Sequence, residues 1–206
     1  MLRKSILIFV LFIFASCGTV VIVPPEIDLS PQERIGLISF SIENAEGNLD
    51  VMATQRFLQV MTTYQNVQVI ELGSLEAVLE KINKKTLDQE AIRAIGDHFE
   101  VNSFFYGKIN VSDVKPMVDI GALIHRLQVR ATFTISMTSR LFSTETGATL
   151  WTDSADRKET LAYMSMAKDR VPYFDVRDEE DAYKGLTERL VLDLTRDFRP
   201  TKRRVK

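Results

Sequence analysis

Val129, Ala131, Phe133, Ile135 and Met137 alternate with Arg130, Thr132, Thr134, Ser136 and Thr138. A period of two is not a helical period; it describes an extended strand with one buried face and one polar face. Thr144-Glu145-Thr146-Gly147 supplies a turn behind it, and Ala148 to Lys158 returns as a second β-prone run carrying Trp151. Together they predict a long antiparallel hairpin over 128–158.

The flanking sequence reads as helices and further strands. Arg34 to Ser41 is short, apolar and β-prone, as a buried first strand should be. Asn44 to Asn48 is a turn cluster, after which Leu49, Ala53, Phe57, Met61 and Tyr64 recur at helical spacing with Asn48 as N-cap. Val67 to Leu72 is a second strand. Ser74 caps a short helix whose Leu75, Val78, Leu79 and Ile82 share a face. Thr86 and Gln89 form a capping-box pattern for a third helix, with Leu87, Ile92, Ile95 and Phe99 inward. Asn102 to Val111 is a strand with Gly107 inside it. Met164 to Arg177 is irregular. Asp178-Glu179-Glu180-Asp181 then opens a last helix lined by Ala182, Leu186, Leu190, Leu194 and Phe198. Its acids sit on the positive end of the helix dipole, and Arg196 and Arg199 sit near the negative end, before Pro200. The order β-α-β-α-α-β-β-β-α predicts an α/β fold of the α+β sandwich kind, a mixed sheet of about five strands with helices packed on it.

The first seventeen residues are of another character. Arg3 and Lys4 precede an apolar run from Ser5 to Phe14, then Ala15, Ser16 and the only cysteine, Cys17. These are the parts of a secretory signal, and the run is shorter than the roughly 20 apolar residues that cross a bilayer. Phe14-Ala15-Ser16-Cys17 resembles the lipobox of bacterial lipoproteins, with Phe14 where that pattern prefers Leu. The resemblance implies cleavage before Cys17 and a diacylglyceryl group on its sulfur. One acyl chain anchors only marginally, whereas a lipidated N-terminal cysteine carries two or three. Lipidation also accounts for a lone cysteine in an exported chain, where a free thiol would invite intermolecular pairing. Two alternatives remain at this stage: an ordinary secretory signal, or a retained anchor read through Val20-Val21-Ile22-Val23, since Ser5 to Val23 is about long enough to span. Gly18 stands where enteric lipoproteins kept in the inner membrane have Asp, so the resemblance implies the outer membrane, with the domain facing the periplasm.

Residues 1–16 are thus expected to be a signal peptide and 17–33 a lipidated tether. Pro24-Pro25 and Ser30-Pro31 bracket that tether, which extends to roughly 55 Å. Residues 34–199 form a single domain. Residues 200–206 are a basic tail containing Lys202, Arg203, Arg204 and Lys206, expected to be solvated, with anionic headgroups or an acidic polymer as the sharper alternative. A net charge of −2 offers no broad basic excess for nucleic acid.

Several segments have a familiar layout. Ile35-Gly36-Leu37-Ile38-Ser39-Phe40 precedes a helix, a Val-Gln-Val-Ile-Glu strand and the short helix from Leu75 to Leu79. Ser103-Phe104-Phe105-Tyr106-Gly107-Lys108-Ile109 and a hairpin turning at Thr146-Gly147 follow. Over residues 34–162 this layout resembles the periplasmic domain shared by curli-secretion (CsgG-like) lipoproteins and LpoB-type activators of peptidoglycan synthases, and it is similar to the N-terminal domain of TolB. The resemblance implies an envelope accessory or, in the CsgG-like case, a secretion pore whose subunits insert β-hairpins into the outer membrane. Such a wall needs segments of about ten alternating residues. Gln128 to Ser139 is one; Val114 to His125 is too short and irregular to supply two more. The expectation is therefore a soluble domain on a lipid tether.

No catalytic constellation emerges. His98 and His125 have neither an HExxH context nor a second ligand at metal spacing. There is no phosphate-binding glycine loop and no Gly-x-Ser-x-Gly elbow. Asp175, Asp178, Glu179, Glu180 and Asp181 lack the EF-hand spacing and its glycine. Gly36, Gly96 and Gly107 are isolated packing or bulge glycines. No metal, cofactor or enzymatic activity is expected. Val171-Pro172-Tyr173-Phe174-Asp175-Val176 places aromatics in a polar stretch. Tyr173 and Phe174 either pin a loop onto the sheet or, with Pro172, form an interaction site, since exposed aromatics are enriched in binding hot spots. The expected function is a non-enzymatic envelope lipoprotein that docks onto another envelope component in assembly, secretion or cell-wall synthesis. Its partners are the membrane, through the lipid, and an envelope protein, with no nucleic acid. The alternatives are a self-assembling, homo-oligomeric channel subunit of the CsgG-like kind and an enzyme whose site one sequence does not reveal.

Overall fold

The computed structural model describes residues 19–43, 48–112, 115–120, 126–167, 173–176 and 179–205. In chain order these form β1 (Thr19–Val23), β2 (Arg34–Ile38), β3 (Ser41–Glu43), α1 (Leu49–Tyr64), β4 (Gln68–Gly73), α2 (Leu75–Lys81) and α3 (Gln89–Phe99). β5 (Ser103–Val111), β6 (Lys115–Ile120), β7 (Arg126–Ser143), β8 (Thr149–Ala167), β9 (Tyr173–Val176), α4 (Glu179–Leu194) and β10 (Thr201–Val205) complete the chain. β1 and β10 make a separate two-stranded ribbon; the other strands form one eight-stranded sheet in the order β4-β2-β5-β7-β8-β9, with β3 beside β5 and β6 beside β7. β2 runs parallel to β4 and β5, as β3 does to β5, and the remaining pairs are antiparallel.

The mixed sheet with helices on it is the expected architecture, and all five strands read from the sequence are present. The sheet is larger because β3, β6 and β9 have only three, six and four residues. β3 and β9 are too short for a pattern to register, and Lys115–Ile120 carries a Pro that demotes a strand reading; each pairs with a longer neighbour that offers it hydrogen-bonding partners. The hairpin likewise outgrows 128–158, since β7 and β8 have 18 and 19 residues. β6 lies within residues 114–125, a stretch too short to supply two more segments of about ten residues but holding this one strand of six, and the end of β8 and all of β9 lie within residues 164–177, expected to be irregular.

Each face of the sheet carries its own core. Under α1 and α4, Phe57, Met61, Leu190, Leu194 and Phe198 pack on Leu37, Phe105, Ile109, Ile135 and Met137. Under α2 and α3, Val78, Ile92 and Ile95 pack on Ile38, Leu72, Phe104 and Phe142. Among the described side chains the helical stripes are those the spacing predicts, except that Leu87 precedes α3 and Tyr64 is 46% exposed while Val60 takes an inward position. In the first core a chain of rings runs from Phe40 through Phe57 and Phe105 to Phe198 and Trp151, with centroids 5.4, 5.0, 5.6 and 4.7 Å apart. Gly107 makes room for this chain: a Cβ there would lie 2.1 Å from a Phe40 ring carbon.

Helix ends show which local signals hold. The Ser74 hydroxyl accepts from Ala77 N at 3.3 Å, as expected. At α3 the cap is instead Asp88, whose carboxylate accepts from Ala91 N at 2.8 Å. Gln89 is then the first helical residue, too early for a capping box, and its amide donates to the Thr146 carbonyl. Asn48 makes no side-chain cap bond. Arg199 donates to the Leu192 carbonyl at 2.5 Å, serving the C-terminal end of α4 as a cation there should.

The expected tether and tail are not free chain over their described lengths. Thr19–Val23 pairs antiparallel with Thr201–Val205. Ile27 N donates to the Asp197 carbonyl at 3.0 Å, and Leu29 is 2% exposed within the first core. The cause is non-local: four consecutive aliphatics and a basic run acquire strand character only when a partner about 180 residues away meets them. The pairing also removes 19–23 from any helical span beginning at Ser5. Among the described residues no helix is long and apolar enough to cross a membrane.

Candidate interaction site

β5 pairs with β7 only from Ile135 to Ser143, so β7 runs on past the end of β5. β6 takes the place of β5 there, with Lys115 opposite Thr132 and Ile120 opposite Leu127. On the far side β8 continues, and β9 joins it from Ala162↔Val176 to Ser165↔Tyr173. The result is a four-stranded antiparallel blade, β6-β7-β8-β9. Its register aligns Val118, Val129, Met164 and Phe174 in one row and Asp119, Gln128, Ser165 and Tyr173 in the next.

The sequence-predicted site residues meet this blade unequally. Tyr173 and Phe174 stand on β9, at the edge of the sheet, rather than in a loop. Pro172 and Cys17 lie outside the described residues, as do His125 and Asp178. Among the described residues β9 has no strand on its outer side. An edge strand of this kind presents unpaired N–H and C=O groups, which is the basis of recognition by strand addition.

A cavity elsewhere on the sheet has no counterpart in any local motif of the sequence. Leu75, Leu87 and Phe142 form the apolar wall of a cavity of about 490 Å³, with Tyr106, Lys108, Thr138 and Arg140 on its polar side. Pairing of β5 with β7 sets Tyr106 opposite Arg140 and Lys108 opposite Thr138. The volume is that of a small-molecule pocket. Its Lys108, however, donates to Glu43 at 2.8 Å, and that hydrogen bond raises the ammonium pKa. The Tyr106 hydroxyl faces the Ser41 hydroxyl at 3.4 Å. Only the strand register brings these residues together; no local motif announces them.

Among the described residues no group of three or more His, Cys, Asp or Glu side chains is placed to hold a metal. His98 is exposed at the end of α3 and meets the Phe99 ring edge-on at 4.7 Å.

No protein-family model matches the chain, and no curated protein matches it by sequence. Solved structures similar in shape include the PelC dodecamer from Paraburkholderia phytofirmans, at 10% identity over 89% of this chain and 98% of that one, TM-score 0.47. Lipoprotein GNA1162 from Neisseria meningitidis is 15% identical over 79% of this chain and 98% of that one, TM-score 0.43. The LpoB C-terminal domain from Salmonella enterica is 9% identical over 66% of this chain and 84% of that one, TM-score 0.39. These are likenesses of shape at identities too low to carry a function.

Proposed function

We propose that this chain is a non-enzymatic envelope lipoprotein, held to the outer membrane by lipid on Cys17, whose α/β domain docks onto another envelope protein through the blade. The observation that carries the proposal is the extension of β7 and β8 beyond β5, ending at β9, which has no further strand beside it among the described residues. An open strand edge is an aggregation hazard unless it is blunted, covered or used by a partner. Tyr173 and Phe174 sit on that strand, so main-chain pairing and aromatic contact would come from the same four residues.

A photo-crosslinking residue at position 174 in cells, against a control at Asp153, tests this. A discrete adduct with another envelope protein from position 174 alone supports docking. Adducts only with copies of the same chain would transfer the blade to the second reading, an oligomeric channel subunit. One observation favours that reading: the blade supplies four antiparallel strands rather than the single alternating segment legible in the sequence. Electron microscopy of the lipidated protein in detergent separates the two. A ring of many subunits supports the channel, and monomers or dimers support docking.

A further inference from the structure

Val20, Val21 and Ile22 on β1 are 54%, 44% and 67% exposed. Opposite them in register stand Arg204, Arg203 and Lys202. Neither apolar core includes a residue of β1. A two-stranded ribbon is marginal in water by itself, and three adjacent exposed aliphatics make it worse unless something covers them.

The arrangement of the ribbon indicates what covers it. Directly opposed residues of an antiparallel pair share a face. One face therefore carries Val20 with Arg204 and Ile22 with Lys202, and the other carries Val21 with Arg203. Aliphatics beside cations with long alkyl stems suit the boundary between acyl chains and headgroups, where the stems lie along apolar surface and the charges reach out. Position agrees with chemistry. Ile22 is five residues from Cys17, roughly 17 Å of extended chain at most. In a chain of net charge −2, three successive cations beside the anchor are a local excess of the sign that anionic lipid attracts.

We infer that the β1–β10 ribbon is a second membrane contact. It lies on the anionic leaflet that holds the Cys17 lipid, with the face of Val20 and Ile22 at the acyl boundary, Arg204 and Lys202 of that face on lipid phosphates, and Arg203 adding to the positive field. The inference rests on the lipid-anchor reading of Cys17 and adds to it. The segment after the lipid is not a long spacer but half of a foot, and the domain stands on that foot close to the surface.

The test uses the mature lipidated protein, with acylation of Cys17 first established by mass spectrometry. Because the acylated sulfur is blocked, Ile22→Cys introduces a single free thiol for a nitrobenzoxadiazole label. The protein is placed in phosphatidylcholine vesicles with or without phosphatidylglycerol. The expected result is blue-shifted, stronger emission in the anionic vesicles, weakened by high salt. K202E/R203E/R204E should abolish it while leaving the thermal melt unchanged, three cations being worth on the order of a hundredfold in surface partition. Equal emission in both vesicle types, or emission indifferent to the triple substitution, overturns the inference. So does a shift produced in neutral vesicles by soluble polyglutamate, which would assign the ribbon to an acidic polymer. Unmodified Cys17 would remove the anchor reading and the foot together, an outcome distinct from a lipidated protein whose ribbon ignores the bilayer.

Discussion

The side-chain amide of Gln65 donates to the Phe198 carbonyl at 2.7 Å, across 133 positions of sequence. The same nitrogen donates to the Ile27 carbonyl at 3.0 Å, and the amide oxygen accepts from Leu29 N at 2.9 Å. Gln65 is 6% exposed and immediately follows α1. One buried side chain thus clasps both segments at the point where they leave the domain for the β1–β10 ribbon.

Replacing Gln65 with Leu keeps the volume and removes all three bonds, stranding a buried amide hydrogen and two carbonyls. The expected loss is about 2–4 kcal/mol of stability, since each orphaned group costs on the order of 1–3 kcal/mol and the ribbon side can relax toward water. Urea unfolding measures it. Amide exchange at 201–205 should accelerate more than exchange in β5, because the clasp holds the ribbon's base.

Phe198→Ala should cost about 3–5 kcal/mol, the range for removing a buried aromatic. Phe198 is fully buried and meets Trp151 at 4.7 Å and Phe105 at 5.6 Å. Near-ultraviolet circular dichroism should lose intensity in parallel, since Trp151 loses its neighbour. An unchanged tryptophan signal with lowered stability would mean the cluster does not order Trp151.

Gly107→Ala is expected to destabilise by about 1–3 kcal/mol through overpacking, because the added methyl would occupy the space of the Phe40 ring. Combining it with Phe40→Leu should cost less than the sum of the two single changes. Additive losses in this double-mutant cycle would show that the two positions do not share that space.

The Lys108–Glu43 pair predicts a stability change at alkaline pH. The hydrogen bond to Glu43 raises the Lys108 pKa, with the Tyr106 charge next in effect. A raised folded pKa gives stability that is complete below the unfolded value, near 10.4, and lost as pH rises through the folded value. Both side chains are about half exposed, at 51% and 48%, so the contribution is under about 1 kcal/mol. Glu43→Gln should melt slightly below the parent protein at pH 7 and converge on it above the folded pKa. A gap that persists at high pH would assign the effect to packing of β3.

The legible part of this fold is the part whose signals are local. The alternation of Val129 to Thr138, the helical stripes ending in Leu190 and Leu194, and the Ser74 cap each depend on residues a few positions apart. All of them appear in the structure, the alternation running from Phe133 to Thr138 and broken before it where the register shifts between Ala131 and Thr132. The Asp88 cap shows the limit of such signals: Thr86 and Gln89 match a capping pattern, yet the helix begins two residues later than the pattern requires, where the carboxylate meets Ala91 N. Tyr173 and Phe174 are legible as candidates from their chemistry, while their place on an edge strand follows from β8, which pairs with them.

What the sequence by itself determined, then, is the α/β class, the five principal strands and the apolar faces of the helices, because periodicity is written within each segment. Tertiary structure alone decided that β6 and β9 extend the hairpin into a blade, that Tyr106, Lys108 and Arg140 share one cavity, and that Thr19–Val23 pairs with Thr201–Val205. Each of these is a pairing between distant segments. A strand's hydrogen bonds are made to another piece of chain, and nothing in the residues of one piece states which other piece will supply them.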